Sequence, residues 1–313
     1  MGKSDEAINE YLADPVRFAD MVNQGLFQGT PVLNPDKLKE MDSVSRIPNR
    51  GTKTRDIVKM YYDNSIIFAI LAIENQTNIH YAMPLRCAVY DIRAYEKQRK
   101  IIVKRHEKNK DLAGAEWLSR FGKNDKLIPT VTLVLYYGSE EWDGPVTLHD
   151  MLNIPDSLKP YQNIFFDYHI NLLEINKIQN LEAYSDDLKI VLGFIKYQKN
   201  AEALMRYIKE HETLFQTVSE ENCLTIQAIT KSDGIMKYKY EAKEQEVFDV
   251  CKALEDLKNL GKIEGKIEGK EETILELVEK KLKKGQTVLQ IAEALEEKPE
   301  YIEKLILKIG KVK

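Results

Sequence analysis

Asp56, Glu74, Asn75 and Gln76 are the residues whose types and spacing could do chemistry in this chain. Asp56 heads RDIVKMYYD (55–63), which reads as a strand. The next strand, SIIFAILAIENQ (65–76), ends in Glu-Asn-Gln, with Asp63 and Asn64 making the turn between the two. Side chains two residues apart on a strand point the same way, so Glu74 and Gln76 share a face. In a hairpin that turns near 63–65, Asp56 falls opposite residues 72–74 and its carboxylate approaches that of Glu74. Two close carboxylates raise each other's pKa unless a cation sits between them. A hard divalent ion suits that place, because it takes oxygen ligands and needs only one or two carboxylates. Such an ion acidifies water and neutralises charge on a phosphate. Capping, turn formation or a surface ion pair would use the same residues, and the spacing alone leaves these readings open.

The elements that must position this tip read as an α/β fold. VRFADMVNQGLF is helical in period, and QGTPVLNPD carries the breakers of a loop. The apolar run IIFAILAI (66–73) suits a central strand covered on both faces. A helix is expected from Met83 to about Arg99 and another at AEWLSRF. Strands are expected at TVTLVLYYG (130–138) and NIFFDYHINLLEI (163–175). Residues 180–258 read as mostly helical, with DDLKIVLGFIKYQ and QEVFDVCKALEDLKNL as the plainest amphipathic segments. GKIEGKIEGK (261–270) repeats with a period of four and matches no phosphate loop; it reads as a linker or a half-solvated helix. Ile267, Ile274, Val278 and Leu282 could begin a coiled seam. TVLQIAEALEEKPEYIEKLILKI reads as helix, turn at Glu296–Pro299, helix. The second of these helices opens with Pro299, Glu300, Tyr301, Ile302 and Glu303, which is poor for phosphate and favours packing or self-association. The organisation expected is 1–178, 179–260, the repeat 261–270, and 271–313.

Composition excludes several classes. Hydrophobic residues make up 43% of the 313 and charged residues 31%, ordinary for a globular protein. The longest apolar run falls well short of the roughly 20 residues of a membrane helix. No secretory signal is read in MGKSDEAINE, and Glu6 spoils a myristoylation start. Cys87, Cys223 and Cys251 are widely spaced and offer no metal motif, so a cytoplasmic protein is expected. His80, His106, His149, His169 and His211 lack paired spacing, and neither a Gly-x-Ser-x-Gly elbow nor a Cys–His arrangement occurs. Net charge is −4, yet residues 1–110 hold 18 Lys/Arg against 14 Asp/Glu. Within them, KQRKIIVKRHEKNK (97–110), with Arg99, Lys100, Lys104 and Arg105, reads either as a contact for DNA backbone or as a solvated loop. Arg86 could hold a phosphate or serve an ion pair. Trp142, in YYGSEEWDGP, is expected to seal a turn.

In order and type, Asp56, then Glu74, Gln76 and Thr77, then Met83, Arg86 and Tyr90, then Tyr137 and Gly138 resemble the Rpn family. Its members are recombination-promoting nucleases, also labelled transposases, of the PD-(D/E)XK superfamily. The likeness spans about residues 10–175, and many members also end in a glycine-and-charge repeat and a helical pair. It implies a restriction-endonuclease-like mixed sheet flanked by helices, then a helical region and a C-terminal helical pair. It implies that Asp56 and Glu74 bind metal, with the Asn75 carbonyl as a further ligand. The ion would be Mg²⁺, or Mn²⁺ or Ca²⁺. Gln76 stands where most of the superfamily has lysine; an amide carries no charge and cannot act as a base, so it can only orient water. The superfamily also expects an acid from the first helix, for which Asp20 and Asp42 are candidates.

Three function classes follow. The first is a metal-dependent DNA endonuclease that promotes recombination. The second is a binding module of the same fold with weak or lost catalysis. The third, a transposase proper, would need a strand-transfer step that no residue here specifies. Cutting both DNA strands requires two active sites, so a homodimer through the C-terminal segment is expected.

Overall fold

The computed structural model describes residues 3–41, 44–47, 51–54, 56–63, 66–230, 239–242, 245–254 and 273–311. They gather into two compact units, Met1–Val250 and Cys251–Lys313.

In the first unit, helices α1 (Lys3–Ala13) and α2 (Pro15–Phe27) are separated by Asp14. Its carboxylate caps α2 by accepting from the Val16 and Arg17 amides at 3.0 Å. Then come strands β1 (Leu38–Glu40), β2 (Val44–Ile47), β3 (Gly51–Thr54), β4 (Ile57–Asp63) and β5 (Ile66–Gln76). Helix α3 (Met83–Asn109) crosses over to β6 (Thr130–Tyr136), with the short α4 (Gly114–Ser119) between them; β7 is Asn171–Glu174. The main sheet has the order β1-β4-β5-β6-β7. Its first three strands run antiparallel, while β5, β6 and β7 run parallel. This is the mixed sheet flanked by helices that the family resemblance implies.

β5 and β6 lie at its centre, and Ile70, Leu71, Ala72, Ile73, Leu133, Val134 and Leu135 are buried. A strand covered on both faces has no solvent side to keep polar, which is why its sequence does not alternate. Gly25 of α2 packs on Leu133 and Leu173. Val134, Tyr136 and Leu172, on the opposite face, pack with Met83 and Cys87 of α3. One face therefore belongs to the N-terminal helices and the other to α3.

Beyond β7 the chain continues through α5 (Asp186–Tyr197), α6 (Ala201–Glu210), α7 (Glu212–Phe215) and α8 (Glu220–Thr230). Arg17, nearly buried, joins α2 to α5 and α8 by ion pairs to Asp187 at 3.0 Å and Glu221 at 2.7 Å. Residues 180–258 are thus helical only in part. Val218–Ser219, Lys239–Ala242 and Gln245–Phe248 form strands β8, β9 and β10 of a second, three-stranded sheet. QEVF pairs as β10 instead of starting the expected amphipathic helix, because Val247 and Phe248 are buried there. The strand expected over 163–175 shrinks to β7, with a 3₁₀ turn over Lys159–Ile164 before it.

Described helices of the second unit include α9 (273–283), α10 (Val288–Leu295) and α11 (Pro299–Lys311). Thr287 and Gln290 form a capping box on α10, and Glu296 ends it with a left-handed φ of 54°. Ile274 and Val278 of α9 pack with Ile291, Ala292, Ile302 and Leu305, with Leu282 beside them. The residues read as a coiled seam therefore close a small core within this unit. Ile267 and the repeat 261–270 lie outside the described residues.

Candidate active site

The register of β4 on β5 brings the first two carboxylates together. Ile57 pairs with Ile73, so Asp56, one step further out, stands against Glu74. A bulge between Tyr61 and Tyr62 shifts the pairing by one residue along the way. A one-residue slip moves every later side chain to the other face, so this bulge sets which residues Asp56 meets. The Asn75 amide donates to Asp56 Oδ2 at 2.8 Å and fixes the carboxylate across the strand gap.

The parallel register of β5 on β6 pairs Glu74 with Val134 and Gln76 with Tyr136. Glu74 and Gln76 do share a face, the one covered by α3. Asn75 points the other way, and its side-chain amide donates to Asn9 of α1. Glu74 is fully buried. Arg86, in the first turn of α3, reaches back to it, with Nη2 at 3.0 Å from Oε2. Tyr90, one turn further along α3, has its ring 5.7 Å from the guanidinium. Gln76 Nε2 donates to the Asn75 carbonyl at 2.7 Å, so the amide holds the backbone oxygen that the motif marks as a metal ligand.

A third carboxylate enters from α1. Asp5 Oδ1 accepts from the Thr77 hydroxyl at 2.6 Å and from the Tyr137 hydroxyl at 2.5 Å. It is also among the charges acting on Asp56. Asp5, and not Asp20, is the carboxylate that the first two helices bring here. Asp20 instead accepts from the Ser185 amide at 2.7 Å, and Asp42 lies outside the described residues. The available signal was the i, i+4 spacing of Asp5 and Asn9, which places both on one side of α1.

The electrostatics follow from burial. Desolvation pushes Asp56 above the usual carboxylate range; the Asn75 amide and Arg86 oppose this, and Asp5 adds to it. Burial works against the Arg86 charge, but Glu74 and then Tyr90 outweigh it and hold the guanidinium above its ordinary value. Burial raises Tyr90, with Arg86 opposing.

Gly138, just past β6, explains the glycine of the motif. A Cβ there would collide with the Thr77 carbonyl and the Tyr136 ring. Trp142 closes the adjoining turn as expected: its ring nitrogen donates to the Gly144 carbonyl at 2.9 Å, and its ring meets Tyr136 edge-on.

The basic stretch 97–110 is not a loop, because α3 continues through it to Asn109, ten residues past the expected end. Arg99 and Lys100 both pair with Glu96, at 2.7 and 3.8 Å. Arg105 pairs with Asp125 at 2.5 Å, and Lys104 is exposed. His106 is held between Asp111 at 2.6 Å and Asp125 at 2.8 Å.

Asp56, Glu74 and the Asn75 carbonyl are hard oxygen donors, the set that suits Mg²⁺. Among the described residues no three His, Cys, Asp or Glu side chains form a ready-made metal cage. The positive charge beside Glu74 is that of Arg86.

A mixed sheet with Asp at the head of one strand and Glu-x-Gln at the tip of its neighbour has the outline of the PD-(D/E)XK class. The chain belongs to the family described as "Putative transposase, YhgA-like", whose model matches residues 58–224, just over half of it. That family lies in the Rpn group of the superfamily, in agreement with the motifs. Comparison with curated proteins and with solved structures gives no match. No helix among the described residues is long and apolar enough to cross a membrane.

Proposed function

We propose that this protein is a metal-dependent DNA endonuclease that hydrolyses phosphodiester bonds and so promotes recombination. The observation that carries the reading is the meeting of Asp56, Glu74 and the Asn75 backbone at one end of the central strands, fixed by strand register instead of by flexible loops. A divalent ion bound there, Mg²⁺ foremost, would supply charge neutralisation on the phosphate and acidify a water. Asp56, Glu74 and the Asn75 carbonyl would hold it. Gln76 steadies that carbonyl and can orient the attacking water. Arg86 would leave Glu74 for a phosphate oxygen, where its planar fork binds well. Asp5 holds Thr77 and Tyr137 and adds negative charge beside Asp56.

The same ion pair favours a second reading. With Arg86 already neutralising Glu74, metal affinity and catalysis are weak, and the protein acts as a DNA-binding module. In either case the protein works in the cytoplasm. A homodimer through the C-terminal unit would use Leu277, Leu289 and Leu307, which stay exposed outside that unit's core.

Supercoiled-plasmid cleavage by wild type and Glu74→Ala, each with Mg²⁺ and with EDTA, tests the proposal. Metal-dependent nicking that disappears in the variant is the expected outcome. No nicking with Mg²⁺, Mn²⁺ or Ca²⁺ would select the binding module, and equal nicking by both proteins would reject the site.

A further inference from the structure

The cations of α3 are not spread evenly around it. At about 100° per residue, Arg93, Lys97, Lys100, Lys104 and Lys108 all fall within about 40° of Arg86 on the helix circumference. Arg99 and Arg105 lie about 140° and 100° away from it, by the same rule. The opposite side is the packing face: Cys87 and Asp91 are buried, the Tyr95 hydroxyl accepts from the Thr130 amide at 3.1 Å, and Gln98 bonds to Ile128. Lys97, Lys100, Lys104 and Lys108 are exposed, whereas Arg93 is half-buried.

From Arg86 to Lys108 this stripe runs about 33 Å at 1.5 Å per residue. Its members stand three or four residues apart beyond Arg93, so each repels the next, at a few tenths of a kcal/mol per pair. The acids on its flank are engaged: Glu96 with Arg99 and Lys100, Glu107 with Arg120 at 2.9 Å. Beyond Arg93 the row is exposed and takes no part in packing, and like charges that weaken their own helix there are explained by an anion from outside. That anion must be long and regularly charged, and the row starts at the residue that touches Glu74.

We infer that α3 is the track for the DNA duplex: Arg86 meets the phosphate at the site, and Arg93, Lys97, Lys100, Lys104 and Lys108 hold backbone over about ten further base pairs. This rests on the proposed action on DNA and narrows it. Lys100 and Lys104 belong to the track, as do Arg93, Lys97 and Lys108; Arg99 and Arg105 do not. Binding is through phosphates and is blind to sequence.

The test is fluorescence anisotropy with a labelled duplex of about three helical turns, in EDTA, over a series of salt concentrations. The proteins are wild type, the quadruple variant Lys97→Gln/Lys100→Gln/Lys104→Gln/Lys108→Gln, and the control Arg99→Gln. Gln and Lys have similar helix propensity, so the variant keeps its helix, which circular dichroism verifies. The expected result is a loss of affinity of at least about tenfold at low salt, with the salt slope shallower by about two to four. Arg99→Gln should bind within about threefold of wild type. Equal losses in both variants, or none in either, would overturn the track. Plasmid nicking run in parallel separates the two claims. Nicking with no dependence on the four lysines removes the track and keeps the nuclease. Stripe-dependent binding without nicking keeps the track and removes the nuclease.

Discussion

The ion pair at the heart of the site makes a quantitative prediction. Glu74 is fully buried and Arg86 is 27% exposed, with 3.0 Å between them. At that separation and an effective dielectric of about 20, the attraction is about 5.5 kcal/mol. Partial exposure of the guanidinium reduces this, and removing one partner of a buried pair costs about 3–5 kcal/mol. Arg86→Met should therefore destabilise the Met1–Val250 unit by about 3 kcal/mol, because Glu74 is left buried beside Asp56 without its strongest counter-charge. For a unit of that size this lowers Tm by about 6–12 °C. Glu74→Gln strands Arg86 more gently, since the guanidinium can turn toward water. The double variant replaces the pair by neutral groups of similar volume and should recover about half of the Arg86→Met loss. Thermal and urea unfolding of all four proteins in EDTA complete the cycle, and a coupling energy of about 2 kcal/mol is expected. Single losses that simply add, within about 0.5 kcal/mol, would refute the claim that Arg86 acts as the Glu74 counter-ion.

Other outcomes follow from neighbouring geometry. Asp111, then Asp125, raise the His106 pKa; the stability this gives is full below the ordinary imidazole value of about 6.5 and is lost as pH rises through the raised value. His106→Gln should abolish that pH dependence in urea unfolding between about pH 6 and 8. Gly138→Ala drives a methyl group into the Thr77 carbonyl and the Tyr136 ring, and should cost about 1–3 kcal/mol in thermal unfolding. Burial pushes the Cys223 thiol up to about 12, and Cys87 is fully buried. A thiol reagent at neutral pH should therefore label neither in the native protein and both in urea, with mass spectrometry assigning the sites.

Much of the sheet was legible because its signals are local. IIFAILAI suits a strand covered on both faces, and the spacing of RDIVKMYYD before it already predicts a hairpin that faces Asp56 with Glu74. The C-terminal turn at Glu296–Pro299 is likewise written in a few adjacent residues. The elements misread are those whose state depends on distant partners. QEVF looks helical by period, but becomes a strand because Val218–Ser219 and Lys239–Ala242 supply the ladder. The lysine-rich end of α3 looks like a loop because its charge hides the apolar side, which only Ile128 and Thr130 reveal by bonding to Gln98 and Tyr95.

By itself, the sequence determined the donor types, the shared face of Glu74 and Gln76, and the family, because strand period and motif order are properties of the chain. Only the tertiary structure decided that Asp5 is the acid delivered by the first helix, that Arg86 neutralises Glu74, and that α3 runs on to Asn109, so that its helical period aligns six cations. Asp5 and Tyr137 are 132 residues apart in sequence. No local preference can select such a pair; the packing of α1 against the sheet does.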